Sequence, residues 1–286
     1  MGPIQANATD HNPNDLPMNI GGTYSRVIGA SLARAWENVL DWEHLPHLHS
    51  SSFSTLTLED TGSWGWRART VGQPAEKAAE SLIELVVDRD EGHYVSRTLS
   101  GGIPGMEVWT RLAQVGDRQT QVEVEFHIPN TTPEGAEKLG RHMTKLYTTL
   151  WDEDEQMMVE RQTALDSRSN HNDASGPDAV NLGPADKLAA QLPLCITLKG
   201  KPVKIVELNG TLTAFHAECP HMLSPLESVE IDGAGCITCP WHGYKFDIST
   251  GDSTDGHTLS LDTKFTFLTD ESGNLLISIA HNAANR

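Results

Sequence analysis

The spacing of apolar residues changes period along the chain, and each change marks a different element. After a polar opening stretch, residues 24–28 read as a short strand. Ser31 then suits the N-cap of a helix that carries Leu32, Ala35, Trp36, Val39 and Leu40 and is expected to stop at Pro46. Between residues 54 and 128 the period becomes two, in runs such as 63–69 (SWGWRAR), 80–87, 108–112 and 121–126 (QVEVEF). Turn signals at Asp60-Thr61-Gly62, Asp90-Glu91-Gly92 and Gly116-Asp117 separate these runs, predicting an antiparallel meander. After Thr132-Pro133-Glu134 the helical period returns to about residue 165, with Leu139, Met143, Leu146, Leu150, Met157 and Met158 along one face. Alternation resumes in 203–208 and 264–268, with a turn at Asn209-Gly210.

These changes divide the chain. Residues 1–20, rich in Asn, Pro and Asp, predict a flexible arm, and 21–165 a first domain. Residues 166–187 are small and polar, broken by Gly176-Pro177 and Gly183-Pro184, and read as a linker; residues 188–286 form a second, β-rich domain. The fold class is α+β. A chain of 286 residues suffices for two ordinary cores. Its formal charge of −18 argues against nucleic-acid or anionic-membrane surfaces and favours a basic redox partner. The N-terminal stretch lacks the pattern of a signal peptide and no apolar run is long enough to span a bilayer, which predicts a cytoplasmic protein with reduced thiols.

Chemistry concentrates in two places. Near the C-terminal end stand Cys219-Pro220-His221 and, after 17 intervening residues (222–238), Cys239-Pro240-Trp241-His242-Gly243. Each loop offers one thiolate and one imidazole. Zinc also accepts two cysteines and two histidines, but its usual loops pair like with like, CxxC followed by HxxxH. Mixed loops with a proline after each cysteine resemble the Rieske ferredoxin family, and the run GYKFDISTG at 243–251 strengthens the likeness. The resemblance implies a [2Fe-2S] cluster held by Cys219 and Cys239 on one iron and His221 and His242 on the other. The high-potential members carry an extra cysteine in each loop, and neither 222–226 nor 243–247 contains one. The cluster therefore resembles the lower-potential kind.

The second place follows the first helix, where Asp41, Glu43, His44, His47 and His49 crowd into a few residues. A polar helix end explains such density without chemistry, but two imidazoles and one carboxylate also make an iron(II) site with open positions. On the long helix the acid run Asp152-Glu153-Asp154-Glu155 interrupts the apolar stripe, and residue 154 falls in its middle, where an unpartnered carboxylate would be costly. Asp41-x-x-His44-x4-His49 resembles the ligand motif of the Rieske non-haem iron oxygenases, and the order strand, helix, sheet, long helix resembles the helix-grip fold of the START and Bet v 1-like proteins, which is also that family's catalytic fold. The resemblance implies mononuclear Fe(II) on His44 and His49, and a role for Asp41 in linking His44 to the cluster ligand His242. Spacing alone leaves His47 open beside His49. For the carboxylate the stripe favours Asp154, the family spacing before Glu160-Arg161-Gln162 points to Glu155, and Asp152 stays an alternative. The remaining histidines, His257 among them, have no partnered spacing and read as surface or internally satisfied.

The family's usual domain order is reversed here. The resemblance implies an oxygenase component, a homotrimer, that takes electrons from a separate NAD(P)H-dependent reductase, with or without an intermediate ferredoxin. With dioxygen it would hydroxylate or demethylate a hydrophobic, aromatic or other cyclic substrate. The alternative is a helix-grip ligand-binding domain fused to a Rieske ferredoxin, serving electron transfer or sensing without mononuclear iron.

Overall fold

The structure, a computed structural model, describes residues 18–170 and 176–280. The chain divides into two compact units, Met1–Glu155 and Gln156–Arg286. In the first, β1 (Asn19–Ile28) is followed by α1 (Leu32–Leu40) and a short α2 (Leu45–Leu48). Six strands follow: β2 (Phe53–Gly62), β3 (Gly65–Gly72), β4 (Glu80–Asp88), β5 (His93–Ser100), β6 (Glu107–Gly116) and β7 (Gln119–Ile128). The sheet order is β1-β7-β6-β5-β4-β3-β2, so the meander returns to place its last strand against the first. β1 pairs with β7 antiparallel from Asn19↔Ile128 to Ile28↔Thr120.

Alternation decides which way each strand faces. In β7 the side chains of Val122, Val124, Phe126 and Ile128 are buried, while Glu123 is exposed. Above the apolar face runs α3 (Pro133–Asn170), whose Tyr147 ring meets that of Phe126 edge-on with centroids 5.2 Å apart. Gly140 lets the helix backbone rest on β1, since an added Cβ would collide with Gly21 O. A curved antiparallel sheet closed by one long helix is the helix-grip architecture expected from the sequence.

α1 begins where predicted, with the Ser31 Oγ accepting from Arg34 N at 3.3 Å, and it buries Ala35, Trp36 and Val39. The Trp66 indole of β3 donates to Val39 O at 3.1 Å and fixes the end of α1 on the sheet. Pro46 does not end α1. That helix already stops at Leu40, and Pro46 sits in the first turn of α2, where its missing N–H costs nothing.

In the second unit the order is β8 (Ala179–Pro184), β9 (Leu194–Leu198), β10 (Lys201–Leu208), β11 (Thr211–His216), β12 (Cys236–Thr238), β13 (Lys245–Asp247), β14 (Phe265–Thr269) and β15 (Asn274–Ile279). They form the small sheets β11-β10-β9, β12-β13 and β14-β15-β8. Leu198, Val203, Ile205 and Ile277 are fully buried between them.

Two sequence boundaries are corrected. The arm expected over 1–20 ends earlier, because β1 begins at Asn19 and pairs through its full length; the rest of that expectation, residues 1–17, lies outside the described residues. The linker expected over 166–187 is mostly structured. α3 runs on to Asn170, and Ala179–Pro184 pairs with β15 as β8, inserting Leu182 into the core of the second unit. Gly183, at φ +85°, marks a left-handed position in β8 rather than an interruption of a linker. Residues 171–175 of that expected linker lie outside the described residues.

Candidate metal centres

In the first unit, α2 and α3 bring three side chains to one point, His44 and His49 from the two ends of α2 and Asp154 from α3. Ligand atoms of His44, His49 and Asp154 all lie within 4.8 Å of one another. Each residue is buried, at 4, 1 and 8% exposure. His49 Nε2 is 3.1 Å and His44 Nε2 3.4 Å from Asp154 Oδ1, and the two imidazole rings stand 5.0 Å apart at 75°. Both histidines therefore present the same ring nitrogen to the same carboxylate. Their other nitrogens also face acids: Asp41 Oδ2 is 3.6 Å from His44 Nδ1, and Glu153 Oε2 is 2.7 Å from His49 Nδ1. Asn38 Nδ2 donates to Asp154 Oδ1 at 2.9 Å.

Electrostatics follows from this crowding. Burial pushes the His44 imidazolium toward losing its proton, but the facing carboxylates of Asp154 and then Asp41 outweigh it and raise its pKa to about 10. Burial pushes the Asp154 carboxyl up, yet His44 and His49 hold it below the usual carboxylate range. The donor set, two imidazole nitrogens and one carboxylate oxygen, suits iron(II) and leaves other positions open.

The other sequence candidates lie elsewhere. Arg26 Nη1 holds Asp152 at 2.6 Å and Nη2 pairs with Glu155, which also accepts from Gly29 N at 2.5 Å. His47 is exposed on α2. Glu153 and Asn38 were not foreseen. Asn38 did leave a trace, as a polar residue beside Val39 on the buried side of α1; Glu153 left none beyond its place in the acid run.

A cavity of about 280 Å³ between the sheet and α3 opens onto the triad. Its walls include Trp66, Tyr94, Val108, Leu146, Tyr147 and Leu150, and among the described residues no Lys or Arg lines it. Burial raises the Tyr94 and Tyr147 phenols, so both stay neutral.

In the second unit the two cysteine loops close alike. Cys219 N donates to Ser224 O at 2.9 Å and Leu223 N to Cys219 O at 3.0 Å; Cys239 N donates to Tyr244 O at 2.8 Å and Gly243 N to Cys239 O at 2.9 Å. The fourth residue after each cysteine is left-handed, with φ +67° at Leu223 and +72° at Gly243. A leucine in that conformation is held there by its surroundings. α3 supports the first loop, through Arg161 Nη1 to Met222 O at 3.1 Å and Arg168 Nη2 to Glu218 Oε2 at 3.0 Å. Cys219 and Cys239 are free thiols with 0 and 1% exposure, and contact between them pushes Cys219 up and Cys239 down, so that one thiolate is favoured. The His221 and His242 rings meet at 4.5 Å and 76°. Two sulfur and two nitrogen donors on matched loops fit a two-iron cluster.

Comparison with known proteins gives a partial picture. A stretch of 39 residues is 44% identical to pheophorbide a oxygenase, chloroplastic, of Oryza sativa subsp. japonica, covering 14% of this chain and 7% of that protein. A stretch of 77 residues is 31% identical to a Rieske domain-containing protein of Homo sapiens, covering 26% and 49%. The chain thus spans less than half the length of these curated relatives. Among solved structures, the Zhui aromatase/cyclase from Streptomyces sp. R1128 is 12% identical with a TM-score of 0.43, over 50% of this chain and 95% of that one. The ferredoxin of carbazole 1,9a-dioxygenase from Nocardioides aromaticivorans IC177 is 22% identical with a TM-score of 0.30, over 36% and 99%. Among the described residues no helix is long and apolar enough to cross a membrane. Residues 178–263 match the Rieske [2Fe-2S] domain family, and the second unit of this chain carries a Rieske domain, with the cluster that such a domain implies.

Proposed function

We propose that the protein is the oxygenase component of a Rieske-type system, hydroxylating or demethylating a neutral hydrophobic substrate, aromatic or otherwise cyclic. One observation carries this reading: the buried His44, His49 and Asp154 converge in the lining of an apolar cavity in a chain that also has a Rieske domain. Iron(II) on that triad would supply dioxygen activation, and a cluster on Cys219, Cys239, His221 and His242 would supply electrons one at a time.

The remaining roles belong to the chain itself. Glu153 keeps the Nδ1 proton of His49, which leaves the Nε2 lone pair for the metal. Asn38 orients Asp154 by donating to its Oδ1. Asp41, facing His44 Nδ1, is the residue we assign to link His44 to the electron donor, with His242 as the cluster ligand on the donor side. The cavity wall excludes water and, lacking cations, favours an uncharged substrate. By family resemblance a separate NAD(P)H-dependent reductase, with or without a ferredoxin, supplies the electrons, and the assembly is a cytoplasmic homotrimer.

The test is iron and acid-labile sulfide counting on the anaerobically purified chain. The reading expects about three irons per chain, falling by about one in His44→Ala or His49→Ala with the cluster spectrum unchanged. Two irons in the unaltered chain would favour the alternative, a ligand-binding helix-grip domain fused to a Rieske ferredoxin. That alternative draws on the close approach of the two imidazoles to Asp154, which satisfies the triad without a metal.

A further inference from the structure

Three aromatic rings stack face to face in the second unit. Tyr244 lies parallel to His221, with centroids 4.5 Å apart and 15° between planes, and parallel to His257 on its other side, at 3.7 Å and 17°. Exposure is lowest in the middle of the stack: His221 is half-buried, Tyr244 is 8% exposed, and the His257 side chain is 40% exposed. His257 is therefore the outermost ring of a column that ends on His221.

The column is built rather than incidental. Asp255 Oδ2 accepts from Lys245 N at 2.7 Å, and Thr254 N donates to Lys245 O at 2.9 Å, so the loop carrying His257 is tied to the residue that follows Tyr244. Isolated bridges Phe246↔Ser253 and Asp252↔Ser260 clamp the same loop on either side. Asp255 itself is fixed by Ser253 Oγ and stands 3.9 Å from His257 Nε2. Every tether acts to lay the His257 ring on Tyr244.

Resting on the assignment of His221 as a cluster ligand, we propose that His257 is a positioning residue that, through Tyr244, holds the His221 ring and closes that edge of the cluster to water, keeping its reduction potential low. The physical reason is the charge change on reduction. A two-iron cluster with two thiolates and two neutral imidazoles is neutral when oxidised and carries one negative charge when reduced. Water stabilises the charged form more than the neutral one, so opening the edge favours reduction. His257 covers the face of the Tyr244 ring, so removing its imidazole uncovers Tyr244 and frees it to tilt away from His221.

The experiment measures the cluster midpoint potential of the full-length holoprotein by spectroelectrochemical titration, with iron and sulfide counted on the same samples. His257→Ala is expected to raise the reduced-to-oxidised ratio at fixed potential about tenfold, a shift of about 59 mV for one electron. His257→Phe, which restores a flat ring, is expected to return it to the wild-type value. An unchanged potential in His257→Ala, or an equal shift in both variants, overturns the proposal. So does loss of iron and sulfide from His257→Ala, which would make the residue a structural support only. Absence of a two-iron cluster from the unaltered protein would sink the ligand assignment beneath it, whereas an intact cluster with an unmoved potential sinks this inference alone.

Discussion

Replacing Asp154 by Asn separates the charge of the triad from its shape. In the metal-free protein the pair of Asp154 and Asp41 keeps His44 protonated, with a pKa of about 10 in place of the ordinary 6.5. At pH 7 that difference corresponds to about 4 kcal/mol of folding stability. Asp154 makes the larger of the two carboxylate contributions, so Asp154→Asn removes roughly 2–4 kcal/mol, equivalent to a fall of roughly 5–15 °C in Tm for a unit of this size. The sign with pH follows from the raised value. Stability contributed by a group whose folded pKa is raised is fully present below its unfolded pKa and disappears as pH climbs through the folded one. The gap between wild type and variant should therefore be widest near pH 6.5 and close at about pH 10 and above. Calorimetric scans of the full chain, with the mononuclear site stripped by chelator, at steps across that interval would measure it. A gap that stays constant from pH 6.5 to 10 would show that Asp154 acts by packing or by its neutral hydrogen bonds, and the electrostatic account of the triad would fail.

Two further outcomes test the surroundings of the site. Glu153→Gln should lower metal affinity about 10- to 100-fold, because His49 loses the carboxylate that fixes its Nδ1 proton; competition with a chromophoric chelator would reveal it, and unaltered affinity would remove Glu153 from the site. Gly140→Ala should lower Tm even though alanine is the better helix former by about 1 kcal/mol, because the new Cβ meets Gly21 O and overpacking costs about 1–3 kcal/mol. A rise in Tm would mean that α3 can shift on β1 without cost.

Much of this was legible in the sequence because the period of the apolar residues is a direct record of which face is buried. The meander, α1 and α3 all follow from it, and the matched loops around Cys219 and Cys239 follow from chemistry that few other motifs share. β8 was not legible. It buries Leu182 as its one buried apolar side chain, and its C-terminal end carries the glycine and proline that normally mark a loop. Its strand character is imposed by the open edge of β15, which is a tertiary effect that no local pattern records. The His257 stack was hidden for a similar reason, since the tethers from Asp255 and Thr254 to Lys245 act across a loop rather than along an element.

The acid run on α3 shows where sequence reading stops and geometry begins. At 3.6 residues per turn, successive side chains of Asp152-Glu153-Asp154-Glu155 point about 100° apart, so the four cannot share one task. Residues three apart return to nearly the same side, and Asp152 and Glu155 are both held by Arg26 of β1. That pairing is what withdraws Glu155 from the triad, although the spacing before Glu160 had pointed to it. Asp154, in line with Leu150 and Met157, faces inward to His44 and His49. Glu153, one step round the axis, reaches the far nitrogen of His49 at 2.7 Å. The stripe could locate Asp154 because burial of a carboxylate among apolar neighbours is visible as a fault in the pattern. It could not locate Glu153, whose position is half-exposed and ordinary for an acid; only the orientation of the His49 ring, set by α2 rather than by α3, gives that residue its role.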